Sequence, residues 1–177
     1  MVNALKSLVD HRVLHRDIKP SNILLRRQPL AAVLADFGAA VVLEQSLEHG
    51  VDSKEAVCTP GYEAPEVLWK RRYSYPSDTW SMGVALVEGI TKQPLFGRGK
   101  NDQALLQAMW IALYNGGSAA QQKEFIDGKA DLQNWRRMQR VTPNFLKGMQ
   151  ERVAKILRDM LKAESSARLD PAAVLAM

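Results

Sequence analysis

One cysteine, Cys58, stands in 177 residues. No disulfide can form within the chain, and no cysteine cluster can hold zinc. A single thiol with no redox or metal partner reads as a small packing residue. No apolar run approaches the roughly 18 residues that a membrane-crossing helix needs. The opening MVNALKSLVDHR is too quickly charged to act as a secretory signal. The chain therefore reads as intracellular, cytoplasmic or nuclear, with no membrane partner. Aromatic residues make up only 7% of it and do not interleave with the basic ones. The net charge of +5 comes from scattered groups such as Arg26-Arg27, Lys70-Arg71-Arg72 and Arg136-Arg137, which describe a solvated basic surface rather than a nucleic-acid site. No internal repeat and no linker interrupts the sequence. A single domain of this length buries roughly 70% of the surface that its unfolded chain exposes.

Apolar positions Leu5, Leu8 and Val9 recur at helical spacing, so the chain opens in a helix with no N-cap before it. NILLRR and AAVLADF are short apolar runs joined by Gln28-Pro29, the pattern of a two-stranded hairpin over about residues 23–36. Residues 38–65 carry Gly, Ser, Thr and Pro without periodicity and read as a long loop of the kind that is usually functional. A Ser-Asp cap at Ser77 starts an apolar helix through Ile90. DQALLQAMWIALY forms another that stops at Asn115-Gly116-Gly117. Residues 115–141 are polar and compatible with short helices. Thr142-Pro143 makes an N-cap and first-turn pair for a last helix, whose stripe is Val153, Ile156, Leu157, Met160 and Leu161.

Four motifs occur in order: HRDIKPSNILL at 15–25, ADFG with its Asp fourteen residues after Asn22, CTPGYEAPE at 58–66 and SDTWSMG at 77–83. A late Arg168 follows them. Together they closely resemble the C-terminal lobe of the eukaryotic protein kinase family, over nearly the whole chain. The fold that the resemblance implies is α+β and mainly helical, with a small β-hairpin. Residues 1–177 would then be a partial protein kinase domain of the serine/threonine type.

Phosphoryl transfer passes through a loose, highly charged transition state, so such a site must position its reactants and neutralise charge. The resemblance implies Asp17 as the catalytic base that takes the substrate hydroxyl proton. Lys19 would screen the γ-phosphate, and Asn22 and Asp36 would hold Mg²⁺ with ATP as the phosphoryl donor. Hard oxygen ligands suit Mg²⁺, which keeps several waters and takes one or two protein carboxylates. The same resemblance implies that His15 packs on Phe37 and that Asp78 holds the backbone of the catalytic loop. It also pairs Glu66 with Arg168 and brings Thr59 onto Asp17 and Lys19.

The pattern has departures. Arg16 precedes Asp17 in the way of kinases that grip a phosphorylated activation loop. Glu55, eleven positions before Glu66, stands where many members carry the phosphorylated residue, and Ser53 is the nearest hydroxyl. PLFGRGKNDQALLQ resembles the cyclin-dependent and MAP-kinase group, yet Glu63 stands where that group has Arg, so proline-directed specificity does not carry over. No GxGxxG or VAIK-like segment occurs in the chain. The implied partners are a protein substrate, an upstream lobe lost from this chain and, beyond these, a regulatory subunit. The isolated chain is expected to be inactive, with apolar surface exposed around 1–9 and around Leu24, Leu25 and Phe37. A non-catalytic, kinase-like binding or scaffold module is the alternative.

Overall fold

The structure is a computed structural model that describes residues 2–44, 50–54, 57–97, 101–114, 118–129 and 146–169. It opens with helix α1, Val2–Asp10, followed by the short strand β1, Val13–Leu14. A 3-10 turn at Pro20–Asn22 leads into the hairpin of β2, Ile23–Arg27, and β3, Leu30–Leu34. The two pair antiparallel, from Ile23 opposite Leu34 to Arg27 opposite Leu30. Strand β4, Val41–Val42, returns to β1, and β5, Val51–Asp52, pairs with β6, Arg72–Tyr73. Helix α2, Pro65–Lys70, lies between β5 and β6. The helices α3, Tyr75–Thr91, α4, Asp102–Tyr114, α5, Ala119–Ile126, and α6, Glu151–Met160, follow, and a 3-10 turn at Ser165–Ala167 completes the described elements. Among the described residues the architecture is mixed, with helices dominant and three separate two-stranded sheets.

Helix α3 is the axis of the molecule. Ser77 through Ala85 and Val87 are all buried, which is the signature of a helix enclosed on every side. Trp80, Val84 and Val87 pack in one core with Leu105, Met109 and Phe125, while Met82 joins a second with Leu5, Leu8, Ile18, Leu34 and Met160. Close approach to the end of α6 depends on Gly83, where an added Cβ would lie 3.0 Å from Met160 and Leu161 side-chain atoms. None of the described helices is long and apolar enough to cross a membrane.

Four expectations need correction. Helix α3 starts at Tyr75, not Ser77, because Ser74 forms the cap: the Ser77 hydroxyl accepts from the Ser74 N–H at 2.9 Å and donates to the Ser74 carbonyl at 2.6 Å. Helix α2 was not expected at all. The last helix begins at Glu151, since Leu146–Gln150 form turns in which Gly148 takes φ +80°, a value that breaks a right-handed helix. The cap pair Thr142-Pro143 lies outside the described residues. Finally, α1 is not left bare, because Leu5 and Leu8 are buried. Leu24, Leu25 and Phe37 are indeed exposed, at 57%, 74% and 49%.

Candidate active site

The backbone from His15 to Asn22 runs between β1 and β2, and α3 fixes it from below. The buried carboxylate of Asp78, in the first turn of α3, accepts the His15 N–H at 2.7 Å on Oδ2 and the Arg16 N–H at 2.9 Å on Oδ1. Desolvation by burial pushes Asp78 up to about 6, against the lowering effect of those two amides. His15 is fully buried; its Nε2 donates to the Ala35 carbonyl at 3.1 Å and its Nδ1 accepts from the Asp17 N–H at 3.3 Å. The Phe37 ring lies 4.9 Å from the His15 ring. One side chain thus links the loop that carries Asp17 to the segment that carries Asp36.

Asp17 is the centre of a dense network. Its Oδ1 accepts from the Thr59 hydroxyl at 2.6 Å and from the Thr59 N–H at 3.0 Å. Its Oδ2 accepts from Lys19 Nζ at 2.7 Å, and Lys19 also donates to Thr59 Oγ1 at 2.8 Å. Burial pushes the Asp17 carboxyl up, but the hydrogen bonds from Lys19 and Thr59 and the Lys19 charge outweigh it and hold the group below its ordinary value. At neutral pH it is an ionised carboxylate, able to accept a proton from an incoming hydroxyl only once that hydroxyl is brought against it.

Asn22 is buried and spends its amide nitrogen on Asp17, at 2.9 Å from the carbonyl and 3.4 Å from Oδ2. That leaves the amide oxygen as the atom suited to a hard cation. The Ala35 N–H donates to the Asn22 carbonyl at 2.9 Å, which sets Asp36 beside Asn22 in the fold. Asp36 is exposed and sits at φ +63°, a left-handed conformation uncommon for a residue with a side chain and typical of strained functional positions. Its Oδ1 accepts the Gly38 N–H at 3.3 Å. Among the described residues, no group of three or more His, Cys, Asp or Glu side chains converges as a metal site. An Asn-Asp pair completed by water suits Mg²⁺ better than a transition metal. Hydrogen bonds thus join Asp17, Lys19 and Asn22, and Asp36 directly follows Ala35, whose N–H is bonded to the Asn22 carbonyl.

The supporting contacts are also present. Arg168 grips Glu66 in a two-pronged pair, 2.5 Å from Nη1 to Oε1 and 2.7 Å from Nη2 to Oε2, with its guanidinium 5.0 Å above the Trp80 ring. Arg16 donates from Nε to the Ala39 carbonyl at 2.7 Å and lies 5.6 Å over the Tyr73 ring. Glu55 is outside the described residues. Cys58 is buried, and burial pushes its thiol well above the ordinary value, so it behaves as packing.

One feature of the site was not foreseen. A groove of about 740 Å³ runs from Lys19 and Thr59 past Pro60 and Tyr62 to Glu88. Glu88 accepts from the Tyr62 hydroxyl at 2.7 Å and from the Leu95 N–H at 3.0 Å. The signal in the sequence was a carboxylate inside the otherwise apolar run SMGVALVEGI.

The chain matches the protein kinase domain family over residues 1–177. Among curated proteins it is similar to serine/threonine-protein kinase Nek5 of Homo sapiens, 39% identical over 102 residues that cover 58% of this chain and 14% of that protein. It is also similar to serine/threonine-protein kinase pakF of Dictyostelium discoideum, 38% identical over 89 residues, or 49% of this chain and 7% of that one. The aligned residues are thus a small part of either relative.

Proposed function

The chain belongs to the protein kinase domain family, and from that premise we propose that residues 1–177 form the C-terminal, substrate-facing lobe of an ATP-dependent protein serine/threonine kinase. The Asp17 network carries this reading: a carboxylate held ionised by Thr59 and Lys19, with Asn22 bonded to it and Asp36 beside Asn22. In this reading Asp17 orients a substrate Ser or Thr hydroxyl and takes its proton as the oxygen attacks the γ-phosphorus, the bond from that phosphorus to the β–γ bridging oxygen breaks and ADP leaves. Lys19 stays beside Asp17 and faces the charge that develops on the phosphoryl oxygens. The Asn22 amide oxygen and the Asp36 carboxylate would hold the metal. Mg²⁺, the ion this family generally uses with ATP, supplies charge neutralisation at the phosphates when bound. The groove between Lys19 and Glu88, which reaches the Asp17 network at Lys19 and Thr59, would take the peptide that carries the hydroxyl. The serine/threonine class is supported by Lys19 two residues after Asp17 and by the names of both relatives.

Phosphate transfer from ATP to a generic Ser/Thr peptide tests the proposal. The 177-residue chain alone should transfer none, because it contains neither a Gly-rich loop nor a VAIK-like strand Lys. Fused behind the nucleotide-covering lobe of a serine/threonine kinase, it should transfer phosphate in Mg²⁺. Asp36→Ala should abolish that transfer, and Asp17→Asn should lower kcat by about 10²–10⁴, the range of general-base catalysis. A fusion that binds nucleotide and peptide but transfers nothing would replace this reading with the binding module.

A further inference from the structure

The Asp17 network has two walls, and each is backed by a buried carboxylate. Behind the His15–Asp17 wall stands Asp78, 3% exposed, which accepts two backbone amides. Behind the Thr59 wall stands Glu63, 4% exposed, which accepts the Gly61 N–H at 2.8 Å on Oε2. We infer that Glu63 is a positioning residue that locks the turn from Thr59 to Tyr62 and so keeps Thr59 seated on Asp17 and Lys19. The inference deepens the kinase reading and rests on it for its functional meaning.

The turn needs such a lock. It closes with the Tyr62 N–H on the Thr59 carbonyl at 3.2 Å, and it passes through Gly61 at φ +99°, where an added Cβ would fall 2.9 Å from the Gly97 carbonyl oxygen. Only glycine fits that space and conformation, and glycine is also the residue with the most freedom to leave it. Downstream of Gly61 the strand of chain is already pinned: the Ser81 hydroxyl donates to the Tyr62 carbonyl at 2.8 Å, and the Tyr62 hydroxyl donates to Glu88. The Glu63 carboxylate secures the Gly61 amide itself.

A residue that merely filled this space would be apolar, since burying a carboxylate carries a desolvation cost that an alkyl group avoids. Burial leaves the Glu63 carboxyl above its ordinary value, and hydrogen bonds from the backbone of Glu63 and Gly61 offset part of that cost. Arg71 is within electrostatic reach and favours the ionised form, while Asp102 opposes it. Arg71 in turn pairs with Asp102 at 2.5 Å and accepts the Ser53 N–H at 3.0 Å on its carbonyl. The lock on Thr59 is thereby tied to the end of α2, the start of α4 and the β5 segment.

Amide hydrogen exchange of the whole chain, resolved by residue in NMR spectra, tests the role without ATP. Glu63→Ala should speed exchange at Gly61 and Thr59 by about tenfold, the scale of one lost hydrogen bond to a charged acceptor. Glu63→Gln keeps an acceptor oxygen and should restore most of the protection, with α3 amides unchanged in both variants. Unchanged exchange at Thr59 in Glu63→Ala would overturn the inference. So would a Gln variant as open at Thr59 as the Ala variant. If Glu63→Ala also opens α3, the Gln variant decides: native-like protection at Gly61 and Thr59 upholds the role, and loss there with α3 intact refutes it. Exchange and phosphate transfer are read separately, so the failure of either is recognisable as its own.

Discussion

Asp17 and Asp78 lie within one loop's width of each other and are tuned in opposite directions. Lys19 and Thr59 hold Asp17 below its ordinary value despite the burial that pushes it up, whereas burial takes Asp78 from 3.8 to about 6. The consequences for stability have opposite signs. The contribution of Asp17 is present above the ordinary carboxylate value and is lost as pH falls through its lowered native value. The contribution of Asp78 is fully present below 3.8 and is lost as pH rises through about 6, because in that window the unfolded chain has released a proton that the native chain still holds. Urea unfolding of wild type and Asp78→Asn should therefore show a stability gap that moves against the wild type as pH rises from about 4 to about 6 and then stays level. A gap that is constant over that window, or that moves toward the wild type, would contradict the assignment. The short-range signals at this scale were plain in the sequence, since HRDIKPSN and ADFG place Asp17, Lys19, Asn22 and Asp36 within twenty residues. The Glu63 contact and the groove at Glu88 were not, because each depends on a turn whose backbone conformation no spacing rule reveals.

At the scale of elements, Glu66 and Arg168 join parts of the chain a hundred residues apart. Glu66 lies in the first turn of α2, and Arg168 follows α6 with its side chain fully buried. Arg168 also donates to the carbonyls of Lys162, Pro76 and Ala163, so four partners depend on one guanidinium. Glu66→Ala leaves that cation buried without its counter-charge and should lower unfolding free energy by about 3–5 kcal/mol, the usual cost of breaking such a pair from one side. Chemical denaturation measures it, and a loss under about 1 kcal/mol would place the pair among the weak surface bridges instead. Which elements were legible follows from the same physics. The hairpin is two short apolar runs joined at Gln28-Pro29, and α3 and α4 are long and apolar, so pattern and length expose them. Helix α2 has only six residues, too few for periodicity to register, and it is held by the Glu66–Arg168 pair and the buried Val67 and Leu68. The start of α6 was misplaced because Gly148 ends one turn just before the helix begins, and that local break outweighs the apolar pattern around it.

Over the molecule as a whole, apolar surface is unevenly distributed. The core around α3 is closed, while Leu24, Leu25, Leu30, Val33 and Phe37 on and beside the hairpin are 57%, 74%, 84%, 50% and 49% exposed. Leu24 stands opposite Val33 in the hairpin, and exposed apolar side chains gathered on one element mark an interaction face or a route to self-association. Leu25→Lys and Leu30→Lys together should change folding stability by no more than about 0.5 kcal/mol each, since neither side chain is buried. They should also reduce concentration-dependent association in sedimentation velocity. Marked destabilisation by the pair would mean that the hairpin is packed in solution.

The proposed phosphoryl-transfer site requires Asn22 and Asp36 to share one metal at the open end of that hairpin, where Ile23 pairs with Leu34. Mn²⁺ takes the same hard oxygen ligands as Mg²⁺ and broadens the NMR signals of nearby amides. Titrated into the 177-residue chain, Mn²⁺ should broaden Asn22, Asp36 and Gly38 first, leave α5 sharp, and lose that selectivity in Asp36→Ala. Early broadening at another carboxylate, such as Asp52 or Asp127, with Asn22 and Asp36 still sharp, would contradict a phosphoryl-transfer site at this place.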